Sequence, residues 1–199
     1  MNRDDIKVHT CCFFGHRKID ETEELKNALY EIIEDLIVNE KVDTFLFGSK
    51  SEFDKRCLKV VTALKEKYPH IKRIYVRAEY RHIDNSYRNY LLESYEDTYY
   101  LHHIEHSGKA AYVERNCEMI NNSKFCVLYY DENYLPPRQR NSKRDLVDYQ
   151  SKSGTKIAYE YAIKKGLNII NVLSYIDNLF CVGFISIIHF FIKSRLNLA

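Results

Sequence analysis

The chain has 199 residues, 45% hydrophobic and 29% charged, which suits one globular domain and excludes a disordered chain. A formal net charge of +2 gives no electrostatic case for a nucleic-acid surface or an acidic partner. Six cysteines without a C-x-x-C pair exclude a disulfide framework and a zinc site, and predict buried reduced thiols. The polar opening MNRDDIKVHT is not the apolar core of a signal peptide, so the expectation is a soluble, cytoplasmic protein. Seventeen tyrosines and no tryptophan fit a wet cleft or an interface at least as well as a dry core.

In chain order, residues 8–14 (VHTCCFF) are a short continuous apolar run ending at Gly15, His16 and Arg17. Such a run predicts a strand buried on both faces, as in a parallel sheet. Thr22 opens a helical pattern in which Leu25, Leu29, Ile32, Ile33 and Leu36 recur at three- and four-residue steps. Asp20, Glu23 and Glu24 crowd its start, where negative charge favours the helix dipole. Residues 43–47 (DTFLF) predict a second strand, and residues 48–51 (GSKS) a turn. Phe53, Cys57, Val60, Val61 and Leu64 then mark one face of a second helix, ending before Pro69. Residues 73–77 (RIYVR) predict a third strand.

From 78 to 111 the period is lost. This Tyr-, His- and Glu-rich stretch reads as a long irregular excursion with a short helix near 87–95, of the kind that serves as a lid or binding loop. A helix resumes over 113–121, residues 125–130 (FCVLYY) predict the fourth strand, and 131–151 is a polar loop containing proline and arginine.

The stretch SGTKIAYEYAIKKGLNIINV, residues 153–172, predicts a turn, a helix and a fifth strand. Ser153 is a good N-cap, Gly154 lets the backbone come close to whatever lies in front, and Thr155 adds a hydroxyl. Ala158 and Ala162 are small enough for close packing on a sheet, and Glu160 precedes Lys164 at the favourable helical spacing. Gly166 predicts a left-handed cap. A polar, glycine-containing turn feeding a helix is either a seat for an anion or an ordinary capped helix. The remaining tail, 176–199, includes the apolar run LFCVGFISIIHFFI, shorter than the ~20 residues that span a bilayer. It predicts a helix packed on the sheet or across a homodimer contact, with no membrane anchor.

Strand and helix alternate through five strands. This predicts an α/β, three-layer Rossmann-like fold with a mainly parallel five-stranded sheet, over residues 1–175, followed by the tail. Ligands of such sheets bind beyond the carboxyl ends of the strands, where strand order reverses. Those ends carry Gly15, His16 and Arg17, then Gly48 and Ser49, then Arg77 to Glu79, then Tyr130 and Asp131, and the turn before Ser153.

The motifs CCFFGHR, FLFGSKSEFD, YVERNCEMI and SGTKIAYEYA, in this order, closely resemble the SLOG superfamily of Rossmann-like proteins. That group includes the Lonely Guy phosphoribohydrolases and the DNA-processing protein A domain, and a bacterial family with a GHR-type first turn matches best. The resemblance covers about residues 8–172 and implies a pocket for a nucleotide or nucleotide-derived ligand. The Lonely Guy enzymes cleave an N-glycosidic bond with an Arg in E-R-K-x-x-M and a Glu in P-G-G-x-G-T-x-x-E. Residues 114–119 follow the first motif at Glu114, Arg115 and Met119, with Asn116 at its Lys, so Arg115 looks like the enzymes' Arg. The second motif departs: its glycine pair falls on Ser151 and Lys152, and its Glu on Ala158. Glu160 lies two residues on, about 200° around the helix, and does not simply substitute.

The candidate ligand-binding residues are therefore Gly15, His16, Arg17, Gly48, Ser49, Asp54, Arg115, Asn116, Ser153, Gly154 and Thr155. His16 and Arg17 are placed for a phosphate or ribose, unless Arg17 pairs with a surface acid. Asp54 is either a helix-dipole partner or an acceptor for a ribose hydroxyl. Arg115 and Asn116 are read as anion binders, the alternative being a surface salt bridge worth little. The catalytic candidates, if the protein turns its ligand over, are Arg115, Glu160 and Asp131. His102, His103 and His106 lack a matching second cluster, so no metal is expected, nor any cofactor. The basic loop with Arg138, Arg140, Lys143 and Arg144 has too few aromatics to suggest nucleic acid. Two functions remain: a sensor or regulatory module that binds a nucleotide-derived molecule, or a hydrolase of a nucleotide or its N-glycosidic bond.

Overall fold

A computed structural model describes residues 7–48, 51–101, 105–106, 108–134 and 152–179. Its first strand, β1 (Thr10–Gly15), begins two residues later than the apolar run, because Val8 stands exposed ahead of the sheet. Helix α1 (Glu23–Val38) starts where Thr22 caps it: the Thr22 hydroxyl accepts from the Leu25 amide at 3.2 Å, satisfying a first-turn donor. Strand β2 (Thr44–Phe47) and helix α2 (Glu52–Lys67) follow, α2 capped by Ser51 through the Asp54 amide at 3.1 Å. Then come β3 (Lys72–Arg77), α3 (Asn85–Leu92), β4 (Asp97–Tyr100), α4 (Lys109–Asn121) and β5 (Phe125–Tyr129). Helix α5 (Gly154–Lys164) and β6 (Asn168–Asn171) complete the sheet, and residues 172–179 are helical.

The sheet has six strands in the order β4-β3-β2-β1-β5-β6, and every pairing is parallel. The fold is the expected Rossmann-like α/β arrangement, with one strand more than the five predicted. The extra strand is β4, inside the supposed irregular excursion, which in fact holds helix α3 and strand β4. Its sequence DTYY lacks an apolar run because β4 is an edge strand with a single neighbour, and only Thr98 is buried. Glu96 anchors it: its carboxylate accepts from the Arg73 backbone amide and from Arg73 Nη2, each at 2.6 Å.

Alternation along β1 divides the core. Cys11 and Phe13 face α1 and α2, while Cys12 and Phe14 face α4 and α5. Phe13 stacks on Phe47 at 5.0 Å and on Phe45 at 5.9 Å. On the other side, Ala158 and Ala162 are fully buried, so α5 lies tight against the sheet as their size predicted. Cys11, Cys12, Cys57 and Cys126 are buried unbridged thiols and Cys117 is half-buried; Cys181 lies outside the described residues. Gly166 has the predicted left-handed backbone, φ 68°. Tyr175 donates to Glu31 of α1 at 3.2 Å, so the first turns beyond β6 pack back on the domain. The rest of the apolar tail, from 180, and the basic loop lie outside the described residues. No helix among the described residues is long and apolar enough to cross a membrane.

Candidate functional site

Strand order reverses at β1: the chain steps outward through β2, β3 and β4, then returns to lay β5 on the other side. His16 emerges from β1 at this point and is only 3% exposed. The Asp131 amide, beyond the end of β5, donates to His16 Nε2 at 3.0 Å. An amide can only donate, so Nε2 carries a lone pair and the neutral ring carries its proton on Nδ1. That Nδ1 is buried and has no hydrogen-bond partner among the described residues. Tyr134 stacks on the imidazole with centroids 3.9 Å apart, and Tyr129 meets it edge-on at 6.1 Å. Burial pulls the His16 pKa below the usual histidine value, and the nearby Asp131 carboxylate opposes the drop.

The other residues of the first turn are accounted for differently. A Cβ on Gly15 would overlap Cβ, Cγ and Cδ1 of Phe53, so glycine is required there for α2 to close onto β1. The Arg17 carbonyl accepts from the Glu52 amide at 3.0 Å, and Glu52 Oε2 accepts from the Ile19 amide at 3.0 Å, lacing the turn to α2. The Arg17 side chain is exposed and makes no ion pair with a described residue.

A second group sits over β2 and β3. Arg115, on the buried side of α4, is 3% exposed and is no surface salt bridge. Its Nη1 donates to the Gly48 carbonyl at the end of β2, with the Val76 carbonyl of β3 at 3.5 Å, and its Nε donates to Asn116 Oδ1 at 3.0 Å. Burial draws the Arg115 pKa below the usual arginine value, and the Asp54 carboxylate is the foremost of the charges that hold it up. Asp54 is itself 2% exposed, in the first turn of α2. A Cβ on Gly48 would come within 2.7 Å of Arg115 Nη1, so this glycine makes room for the guanidinium. The Arg115 guanidinium also lies 5.5 Å from the Tyr112 ring, whose hydroxyl donates to Glu79 and has its pKa pushed up to about 12.

The mouth of α5 is a capped helix with an exposed glycine in its first turn. Ser153 accepts from the Lys156 amide at 3.1 Å, Thr155 is buried, and a Cβ on Gly154 would meet no described atom within 4 Å. Glu160 is exposed and pairs with Lys152 at 2.7 Å, in place of the expected Lys164. Asp131 Oδ1 accepts from the Asn133 amide at 2.8 Å, so this carboxylate is engaged in its own turn.

The predicted residues thus fall into two adjoining sets at one sheet edge, His16 with Asp131 and Gly48 with Asp54, Arg115 and Asn116. Ser49, His102 and His103 lie outside the described residues, and His106 pairs with Glu114. Sequence reasoning missed Tyr134 and Tyr112 as neighbours of the site, and placed Glu79 at the end of β3 without a partner. The tyrosine-rich composition was the one signal pointing to them.

A family model described as YpsA, the YspA SLOG family, matches residues 7–162. Among solved structures the chain is similar to DNA processing protein A from Helicobacter pylori, a structure described for its single-stranded DNA binding mode. The identity is 14% over 89% of this chain and 82% of that one, with a TM-score of 0.44. No curated protein matches the chain.

Proposed function

The chain belongs to the YspA SLOG family, and from that premise we propose that it binds a nucleotide or nucleotide-derived ligand at the carboxyl edge of its sheet, as a sensor or regulatory module. The observation that carries this reading is the guanidinium of Arg115, kept 3% exposed at the edge where α/β sheets take ligands, with Gly48 making room for it. Burying a cation is costly unless it is bonded, and a cation so held offers a fixed positive potential to a phosphate. The capped N-terminus of α5, with Gly154 exposed in its first turn, supports the same class of ligand.

Binding is favoured over hydrolysis by the second motif. Ala158, where the related enzymes keep a carboxylate, is 2% exposed in the apolar cluster under α5. Glu160 points elsewhere and is ion-paired at the surface.

Calorimetry of the purified protein against a panel of nucleotides tests the reading, with Arg115→Met as the control and circular dichroism to check its fold. Binding by the parent and loss in the folded variant are expected; equal affinity in both sinks the site. A single-stranded DNA oligonucleotide belongs in the panel as a ligand that a near-neutral chain is expected to refuse. Chromatography of the same mixtures for free base separates binding from turnover. Base release that disappears in Glu160→Ala would make the protein a hydrolase.

A further inference from the structure

We propose that His16 is the hydrogen-bond donor that reads the ligand of this site: a neutral imidazole whose Nδ1–H meets an oxygen acceptor of a nucleotide, on its phosphate or its ribose. This rests on the nucleotide-binding reading above and gives it a defined contact.

Three observations lead there. The Asp131 amide donates to Nε2 at 3.0 Å, which settles the tautomer, because a proton on Nε2 would face another N–H. The ring is 3% exposed, so water is not a ready partner for Nδ1. Nδ1 is buried with no hydrogen-bond partner among the described residues. Buried donors are almost always bonded, and one left bare carries the full cost of its lost hydration. Phenylalanine would fill the space between Tyr129, Tyr130 and Tyr134 but leave the Asp131 amide without its acceptor, so Nε2 has a structural task and Nδ1 is the atom without one. His16 also stands between β1 and β5, where strand order reverses and ligands of such sheets seat.

The stack with Tyr134 bears on approach. Tyr134 covers a face of the imidazole at 3.9 Å and 23°, whereas the Nδ1–H bond lies in the ring plane and projects from its edge. An acceptor therefore meets the donor edge-on, while the tyrosine keeps the contact dry and strengthens it. The Asp131 amide performs a separate task, holding the ring in register across the reversal.

The two nitrogens can be separated by substitution. In His16→Gln the amide oxygen reaches the place of Nε2, keeps the bond from Asp131 and leaves no donor at the place of Nδ1. In His16→Asn the shorter amide supplies an N–H near Nδ1 and gives up the bond from Asp131. Calorimetry with AMP, GMP, CMP and UMP, and with the matching nucleosides, is run on the parent and both variants, alongside thermal melts.

The parent and His16→Asn are expected to bind, the latter with a lower melting temperature, while folded His16→Gln loses about tenfold in affinity. Binding of nucleotides but not nucleosides assigns the acceptor to phosphate; equal binding of both assigns it to ribose. His16→Gln binding as tightly as the parent overturns the proposal and leaves the nucleotide reading standing. So does loss of affinity in both variants in step with their stability, the mark of a merely structural ring. Nitrogen-15 spectra of the His16 side chain give a further readout that needs no ligand: a protonated Nδ1 is expected, and a proton on Nε2 alone overturns the proposal. A parent that binds none of the eight probes overturns the nucleotide reading and the proposal with it.

Discussion

Gly48→Ala is the most informative substitution at the sheet edge. Gly48 has no positive φ, so the backbone accepts alanine, and the obstacle is the Arg115 side chain, 2.7 Å from the new methyl at Nη1 and 2.8 Å at Cδ and Cζ. Arg115 has little freedom to yield, since it is 3% exposed and bonded to the carbonyls of Gly48 and Val76. Turning it aside strips a buried guanidinium of those acceptors, and an unsatisfied buried group costs about 1–3 kcal/mol, more when charged. Against this, alanine gains about 0.4–1 kcal/mol from a stiffer unfolded chain. The net expectation is a loss of about 2 kcal/mol, or about 4–8 °C in melting temperature for a domain of this size. In an Arg115→Ala background the clash is gone, and the same change should be neutral or slightly stabilising. Urea unfolding of the parent, both single variants and the double variant measures the coupling. Costs that simply add, within about 0.5 kcal/mol, would refute the steric link between Gly48 and Arg115.

Two further outcomes follow from the first turn. Gly15→Ala forces a methyl into Phe53, which is fully buried and has nowhere to go, so a loss of about 1–3 kcal/mol or more is expected; a melting temperature unchanged from the parent's contradicts the packing. Burial of His16 gives the fold an acid sensitivity. Its folded pKa lies below the unfolded value of about 6.5, so the unfolded chain takes up the proton first and stability falls as pH drops below about 6.5. Above that value the contribution is complete. Urea midpoints followed from about pH 8 to about pH 5 should show this fall in the parent and a flatter profile in His16→Gln; identical slopes would remove His16 from the account.

Much of the fold was legible because burial on both faces writes itself into composition. CCFF, TFLF and FCVLY are continuous apolar runs, and each became a strand with neighbours on both sides. DTYY was not legible: an edge strand shows one side to solvent, and polar residues serve it well. Arg115 was singled out from its motif, but its partners were not, since the Gly48 carbonyl lies 67 residues away in the chain. The spacing of Glu160 and Lys164 suggested a helical pair, yet the carboxylate found Lys152, which the turn before α5 brings within 2.7 Å.

The sequence by itself determined the period of each central element, the glycines at the ends of β1 and β2, the helix start at Thr22, the cap at Ser153, and membership of the SLOG superfamily by motif. These are local properties, set by backbone conformation and by which side chains shun water. The tertiary structure alone decided which polar groups stay dry and what they meet. Asp131 fixes the proton of a histidine 115 residues earlier, Tyr134 roofs it, and Arg115 reaches over a glycine to the neighbouring strand end. Hydrogen-bond partnership and burial depend on long-range closure of the sheet, and no window along the chain contains that information.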